Sequence, residues 1–348
     1  MSRTFRGKLC VILARSVALL LVLFAALVAS LPTWAAPPAE TVEEASTTDT
    51  DQEAPAKTKF LRVTRDDEEK LVAMETAIMR YVPRDNADSG VVVDLVAAVH
   101  IAEPEYFDEL NKSFEQYDAV LYELVAPEDA RPEPGQRSGH PIAMLQGGMQ
   151  NMLELTHQLD GVDYKQENFV HADMSPEDFE QSMRDRNENM FSMFFRMLGH
   201  SIAQQSIAAQ RNPSAAARQS DAGMLLALMN PDRAMSMRQM MAEQFENMDG
   251  MVGGLDGPKG STLISERNKV AIDVLKREMA AGKNKLAIFY GAGHMRDMEK
   301  RLVDELGMKL DSERWLVAWK LKRDKDETKG KAEKNEKCNK KPRRGESE

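Results

Sequence analysis

Two histidines in this 348-residue chain sit where chemistry could be done, each at the exit of an apolar, β-prone run and just before a helical pattern. The first closes Val91-Val92-Val93-Asp94-Leu95-Val96-Ala97-Ala98-Val99-His100. The second follows Lys285-Leu286-Ala287-Ile288-Phe289-Tyr290 in the corner Gly291-Ala292-Gly293-His294. In open α/β sheets the ligand crevice lies outside the carboxyl ends of the strands, which is where both imidazoles would emerge. Glu123 closes a third run, Ala119-Val120-Leu121-Tyr122-Glu123-Leu124, and would face the same edge. A carboxylate between Tyr122 and Leu124 has to be paired, liganded or catalytic to offset its desolvation. Two His and one carboxylate with an open coordination position suit a divalent metal that activates water. Either histidine alone is most simply a structural imidazole; the pair at repeated strand ends is what points to a site.

The elements that must position these groups follow from periodicity. Two β-prone stretches, Phe60 to Thr64 and Ala77 to Val82, predict an initial hairpin ending in the Pro83-Arg84-Asp85-Asn86 turn. The strand to His100 comes next, then a helix opened by Pro104 with Tyr106, Phe107, Leu110 and Phe114 on one face, then the strand to Leu124. That βαβ unit calls for parallel strands. Ser261-Thr262-Leu263-Ile264-Ser265-Glu266 offers a cap for a helix ending near Gly282, and strand 285–290, helix 295–306 and strand 315–319 complete a second such unit. The expected fold is α/β, with two βαβ-like halves forming one central sheet. Between them, residues 127–260 read as a helical insert holding 16 of the 23 Met, with Met190, Met193, Phe194, Met197 and Leu198 on one helix face. Thioethers in such number could serve copper or a repacking peptide groove, but the helical period already accounts for them as core.

These motifs resemble the TraB/PrgY/TIKI family, which carries paired Gly-x-x-His motifs, a Glu at the end of the strand after the first, and a Glu-Arg pair on the helix before the second. The matching residues are Ala97-Ala98-Val99-His100, with Ala97 in place of the family's Gly, then Tyr122-Glu123-Leu124, Glu266-Arg267-Asn268 and Gly291-Ala292-Gly293-His294. The resemblance spans about residues 90–125 and 260–320. It implies a divalent-metal-dependent hydrolase, most simply a peptidase of the cell envelope or extracellular space. In that reading His100, His294 and Glu123 hold Mn, Co or Zn, with Glu123 or Glu266 as general base and Arg267 stabilising an oxyanion or clamping a substrate carboxylate. The competing expectation is a binding protein that captures peptide or haem with the same histidines. Glu103 is a weaker additional ligand; His140, His157, His171 and His200 lack metal-like spacing and read as surface or structural.

Composition sets the surroundings. Arg3, Arg6, Lys8 and Arg15, the apolar run Val17 to Leu31 and small residues at Ala35-Ala36 describe a signal peptide over 1–35, so export to the periplasm or beyond is expected. An uncleaved signal would instead tether the chain to a membrane. Residues 36–57 read as a disordered linker and 320–348 as a disordered basic tail. Of the net charge of −10, the first 35 residues carry +4 and the last 29 carry +5, leaving −19 for the body. So acidic a body excludes nucleic acid as the main partner and leaves a peptide or protein substrate. The two cysteines, Cys10 and Cys338, fall in the signal and the tail, so the body must stand on its core. No Gly-x-Ser-x-Gly elbow, His-Glu-x-x-His helix, phosphate loop or cysteine nucleophile is present in the sequence.

Overall fold

The computed structural model describes residues 59–128, 130–132, 152–188, 226–227, 229–245, 256 and 259–323. The expected signal peptide, the linker, the helix face over 190–198, His140, His200 and the chain beyond 323 lie outside the described residues. Nine strands appear among them: β1 (Leu61–Arg65), β2 (Leu71–Pro83), β3 (Val92–Ala98), β4 (Ile101–Ala102), β5 (Ala119–Tyr122), β6 (Thr156–His157), β7 (Phe169–His171), β8 (Lys285–Gly291) and β9 (Met308–Lys320). The longer helices are α1 (Pro104–Phe114), α2 (Pro176–Asp185), α3 (Arg233–Phe245), α4 (Arg267–Ala280) and α5 (Met295–Asp304). No helix among the described residues is long and apolar enough to cross a membrane.

Seven strands form one mixed sheet. β3, β8, β5 and β7 are hydrogen-bonded in that order and all parallel. β2 is antiparallel to each of its neighbours: β9 runs along one side of it, and β1 and β3 share the other. A hairpin does form from β1 and β2, but β1 lies against Leu71–Thr76 rather than the expected 77–82, which pairs mainly with β3 and β9. Its turn is closed by the Asp66 carboxylate, which accepts from the N–H groups of Glu68 and Lys70. Both expected crossovers are present in direction but not in adjacency. β8 lies between β3 and β5, and β3 and β2 lie between β8 and β9, so the two halves interlock in one sheet rather than standing side by side.

Alternation along the strands assigns the two faces. Val96 and Ala98 of β3, Val120 and Tyr122 of β5, and Ala287 and Phe289 of β8 pack with Tyr106, Phe107 and Phe114 of α1 and Met237 and Met240 of α3. Val93, Leu95 and Ala97, with Ala119, Leu121, Leu286, Ile288 and Tyr290, pack with Ile272 and Leu275 of α4 and Met298 and Leu302 of α5. Burial on both faces is why these strands read as unbroken apolar runs.

Two expectations need correction. The insert is not wholly helical, because β7 joins the edge of the main sheet through Val120↔Phe169 to Tyr122↔His171. Three residues are too few to show a strand period, and only the open edge of β5 makes them one. The ordered body also runs past 319: Leu321 is fully buried, its N–H donates to Val72 O, and Arg323 grips Asp232 through Nε and Nη2 at 2.9 and 2.8 Å.

Candidate functional site

At the carboxyl ends of β5, β7 and β8 a buried polar cluster replaces the apolar core. Glu123 is the residue after β5, on the α4 side of the sheet by the same alternation that places Leu121 there. Its Oε2 accepts from the Gly291 N–H at 2.7 Å and its Oε1 from Arg267 Nη2 at 2.8 Å. A Cβ at Gly291 would lie 3.3 Å from Oε2, so a side chain there would crowd the carboxylate away from that N–H. Arg267 opens α4 directly after a π-helical turn, Thr262–Glu266, which Ser261 caps by accepting from the Ile264 N–H. Its guanidinium also takes both oxygens of Asp173, Nε to Oδ1 at 2.9 Å and Nη2 to Oδ2 at 2.6 Å. Asp173 is fully buried, and one cation bridges two carboxylates.

His294 stands beside them, 6 % exposed, at the end of the tight turn that follows β8. Its Nε2 lies 3.5 Å from Glu123 Oε1, and its Nδ1 is 2.7 Å from Asn268 Oδ1. The ring packs edge-on against Tyr290 at 5.3 Å, and the Tyr290 hydroxyl donates to Ala172 O. Burial lowers the His294 pKa, with Glu123 opposing, so the imidazole is neutral near pH 7. Burial alone would raise that of Glu123, but His294, Arg267, the Gly291 N–H and His100 outweigh it and hold the carboxyl at about 2. An acid that strong is a poor base at neutral pH and a good ligand or ion-pair partner.

The other expected residues fall elsewhere. His100 is two residues beyond β3; its side chain is exposed, and its carbonyl accepts from the Gln158 N–H at 2.8 Å. β3 ends at Ala98, and Val99 packs in the same cluster as Ala98, so strand alternation does not carry on to His100. Its charge still reaches Glu123 and His294. Glu266 turns outward to Arg186 at 2.9 Å and Lys269 at 2.8 Å, so it is not the base of this cluster. Arg267 is spent on the two carboxylates and anchors Glu123 rather than presenting itself to a substrate. Glu103 is held by buried Arg238 at 2.6 Å and by the Lys320 N–H, which makes it a strut. His157 caps a short helical turn through Nδ1 and His171 Nε2 meets Leu124 O at 2.7 Å, both structural as expected.

Sequence reasoning missed Asp173 and Asn268. Asp173 had only a weak signal, an acid after Phe169-Val170-His171-Ala172, a stretch too short to declare a strand. Asn268 had none beyond its place after Arg267.

The residues partly fit the implied divalent cation. Among the described residues no three His, Cys, Asp or Glu side chains gather closely enough to hold one ion, so the expected set of His100, Glu123 and His294 is not assembled. His100 is exposed two residues beyond β3, while Glu123 and His294 are buried in the cluster. Two donors do converge, because ligands bonded to one ion at about 2.1 Å in a tetrahedral arrangement lie about 3.4 Å apart, close to the observed 3.5 Å between Nε2 and Oε1.

The class that fold and site define is an α/β protein with a buried His-carboxylate-Arg cluster at the carboxyl edge of its parallel strands. No family model, curated protein or solved structure matches the chain.

Proposed function

We propose that this chain is an exported divalent-metal-dependent hydrolase acting on peptides, as its motif resemblance to the TraB/PrgY/TIKI family implies. The observation that carries the reading is the 3.5 Å approach of His294 Nε2 to Glu123 Oε1, two donors in a buried corner with a carboxylate kept ionised by Arg267 and Gly291. Glu123 and His294 would hold the cation; His100, exposed two residues beyond β3, is the third ligand this reading requires and would have to turn inward to supply it. When bound, a cation of the Mn, Co or Zn class supplies Lewis acidity and a nucleophile from water at neutral pH. Arg267 and Asp173 fix the carboxylate, and Gly291 leaves room for it.

The test is hydrolysis of unstructured fluorogenic peptides by the purified full chain, with metal content measured alongside. A chelator is expected to abolish turnover. His294→Ala and Glu123→Ala should lower kcat/KM by about 10³-fold or more, and His100→Ala by about 10²-fold, as for groups that act together. Turnover unchanged in His294→Ala would sink the reading. Capture of peptide or haem without turnover is the second reading, and it is favoured by the strongly acidic Glu123, which serves poorly as a base.

A further inference from the structure

Asn268 touches His294 twice, and the two contacts together specify where the imidazole proton sits. Its Nδ2 donates to His294 O at 3.0 Å and to Asp297 Oδ2 at 2.9 Å. Asp297 is in turn held by Arg301, whose Nε donates to the same Oδ2 at 2.7 Å. Turning the amide over would set its oxygen against a carbonyl and a carboxylate, so the orientation is forced by its neighbours and not by a choice between similar atoms. The amide oxygen is therefore the atom facing His294 Nδ1 at 2.7 Å, and it can only accept. A proton must be on Nδ1.

The other nitrogen agrees. Were Nε2 also protonated, it would meet the buried Glu123 carboxylate as an ion pair and close to roughly 2.7–2.9 Å. It stands at 3.5 Å instead, longer than such a charge-assisted hydrogen bond. We propose that Asn268 is a positioning residue that keeps the His294 proton on Nδ1, so that the Nε2 lone pair and not an N–H faces Glu123. The relay Arg301, Asp297, Asn268 then decides whether this corner receives a cation or collapses into a His–Glu hydrogen bond. The consequence for metal affinity rests on the function proposed above; the tautomer itself does not.

The experiment is long-range ¹H–¹⁵N correlation on the metal-free full chain labelled with ¹⁵N-histidine, in chelator near pH 8, with His294 assigned by its loss in His294→Gln. The expected spectrum has His294 protonated at Nδ1. In Asn268→Ala the proton moves to Nε2, and affinity for Mn²⁺ or Zn²⁺ by calorimetry falls about ten- to a hundredfold. Backbone amide signals of Asn268→Ala that match wild type outside the His294 corner separate tautomer control from damage to the fold. Nε2 protonation in the wild type, or the same tautomer in Asn268→Ala, overturns the proposal. An Nδ1 proton in a wild-type chain that binds no metal would sink the hydrolase reading while supporting this one.

Discussion

Asp94 and Glu123 are buried carboxylates on parallel strands of the same sheet, each gripped by an arginine, and they differ in what is left over. Asp94, on β3, takes Arg80 Nε and Nη2 at 2.9 and 2.8 Å and the Tyr117 hydroxyl at 2.6 Å. Both of its oxygens are hydrogen-bonded, and Arg80 remains 44 % exposed. A cavity of about 290 Å³ opens beside it, lined by Arg80, Tyr117, Gln116 and Arg314 among others. At Glu123 the arginine is 7 % exposed and an imidazole nitrogen faces the carboxylate at 3.5 Å. Concavity alone would choose the Asp94 end. The buried cluster of titratable groups chooses the Glu123 end, and such a cluster is the more specific sign of a ligand.

The largest effect expected from breaking this comparison comes at the arginines. Arg267→Ala strands two buried carboxylates and should cost about 3–5 kcal/mol in urea unfolding. Arg80→Ala leaves Asp94 with Tyr117 and should cost about 1–3 kcal/mol. Equal losses would erase the distinction. Acid should act next. The Glu123 pKa is depressed from 4.5 to about 2, so its contribution is fully present above pH 4.5 and is lost as pH falls toward 2. By linkage that contribution is on the order of 3 kcal/mol at most. His294, with its pKa lowered from 6.5, binds its proton more weakly folded than unfolded, so it adds a loss that begins as pH falls through 6.5. Stability measured from pH 8 to 3 should therefore decline in two stages, and Glu123→Gln should flatten the lower one.

Smaller changes sharpen the same contrast. Tyr117→Phe removes one hydrogen bond to Asp94 and should cost about 1–2 kcal/mol in thermal unfolding, with peptide turnover unchanged. Glu266→Gln, which loosens only the outward pairs to Arg186 and Lys269, should cost under about 1 kcal/mol and leave turnover intact. A turnover loss in that variant would return Glu266 to the site.

Much of this arrangement is legible in the sequence. The runs ending near His100, Glu123 and Gly291 announce strands, because burial on both faces demands unbroken apolar residues. Pro104 and Ser261 announce helix starts. The parity of Leu121 and Glu123 even fixes which face the carboxylate takes once one face is assigned to the helix bearing Arg267. Parity does not reach His100, because Ala98 and Val99 already pack into the same cluster.

What tertiary structure alone decided is adjacency. Nothing local says that β8 enters between β3 and β5, yet that insertion brings Gly291 and His294 against Glu123. Nothing local makes three residues at Phe169–His171 a strand; the open edge of β5 does, and with it Asp173 reaches Arg267. Asn268 acquires its role only because α4 and α5 pack on the same face. Side-chain patterns encode each element and the face it buries, because burial is a property of single residues along one segment. The order of strands depends on crossovers between distant segments, and it is that order which turns three strand ends into one site.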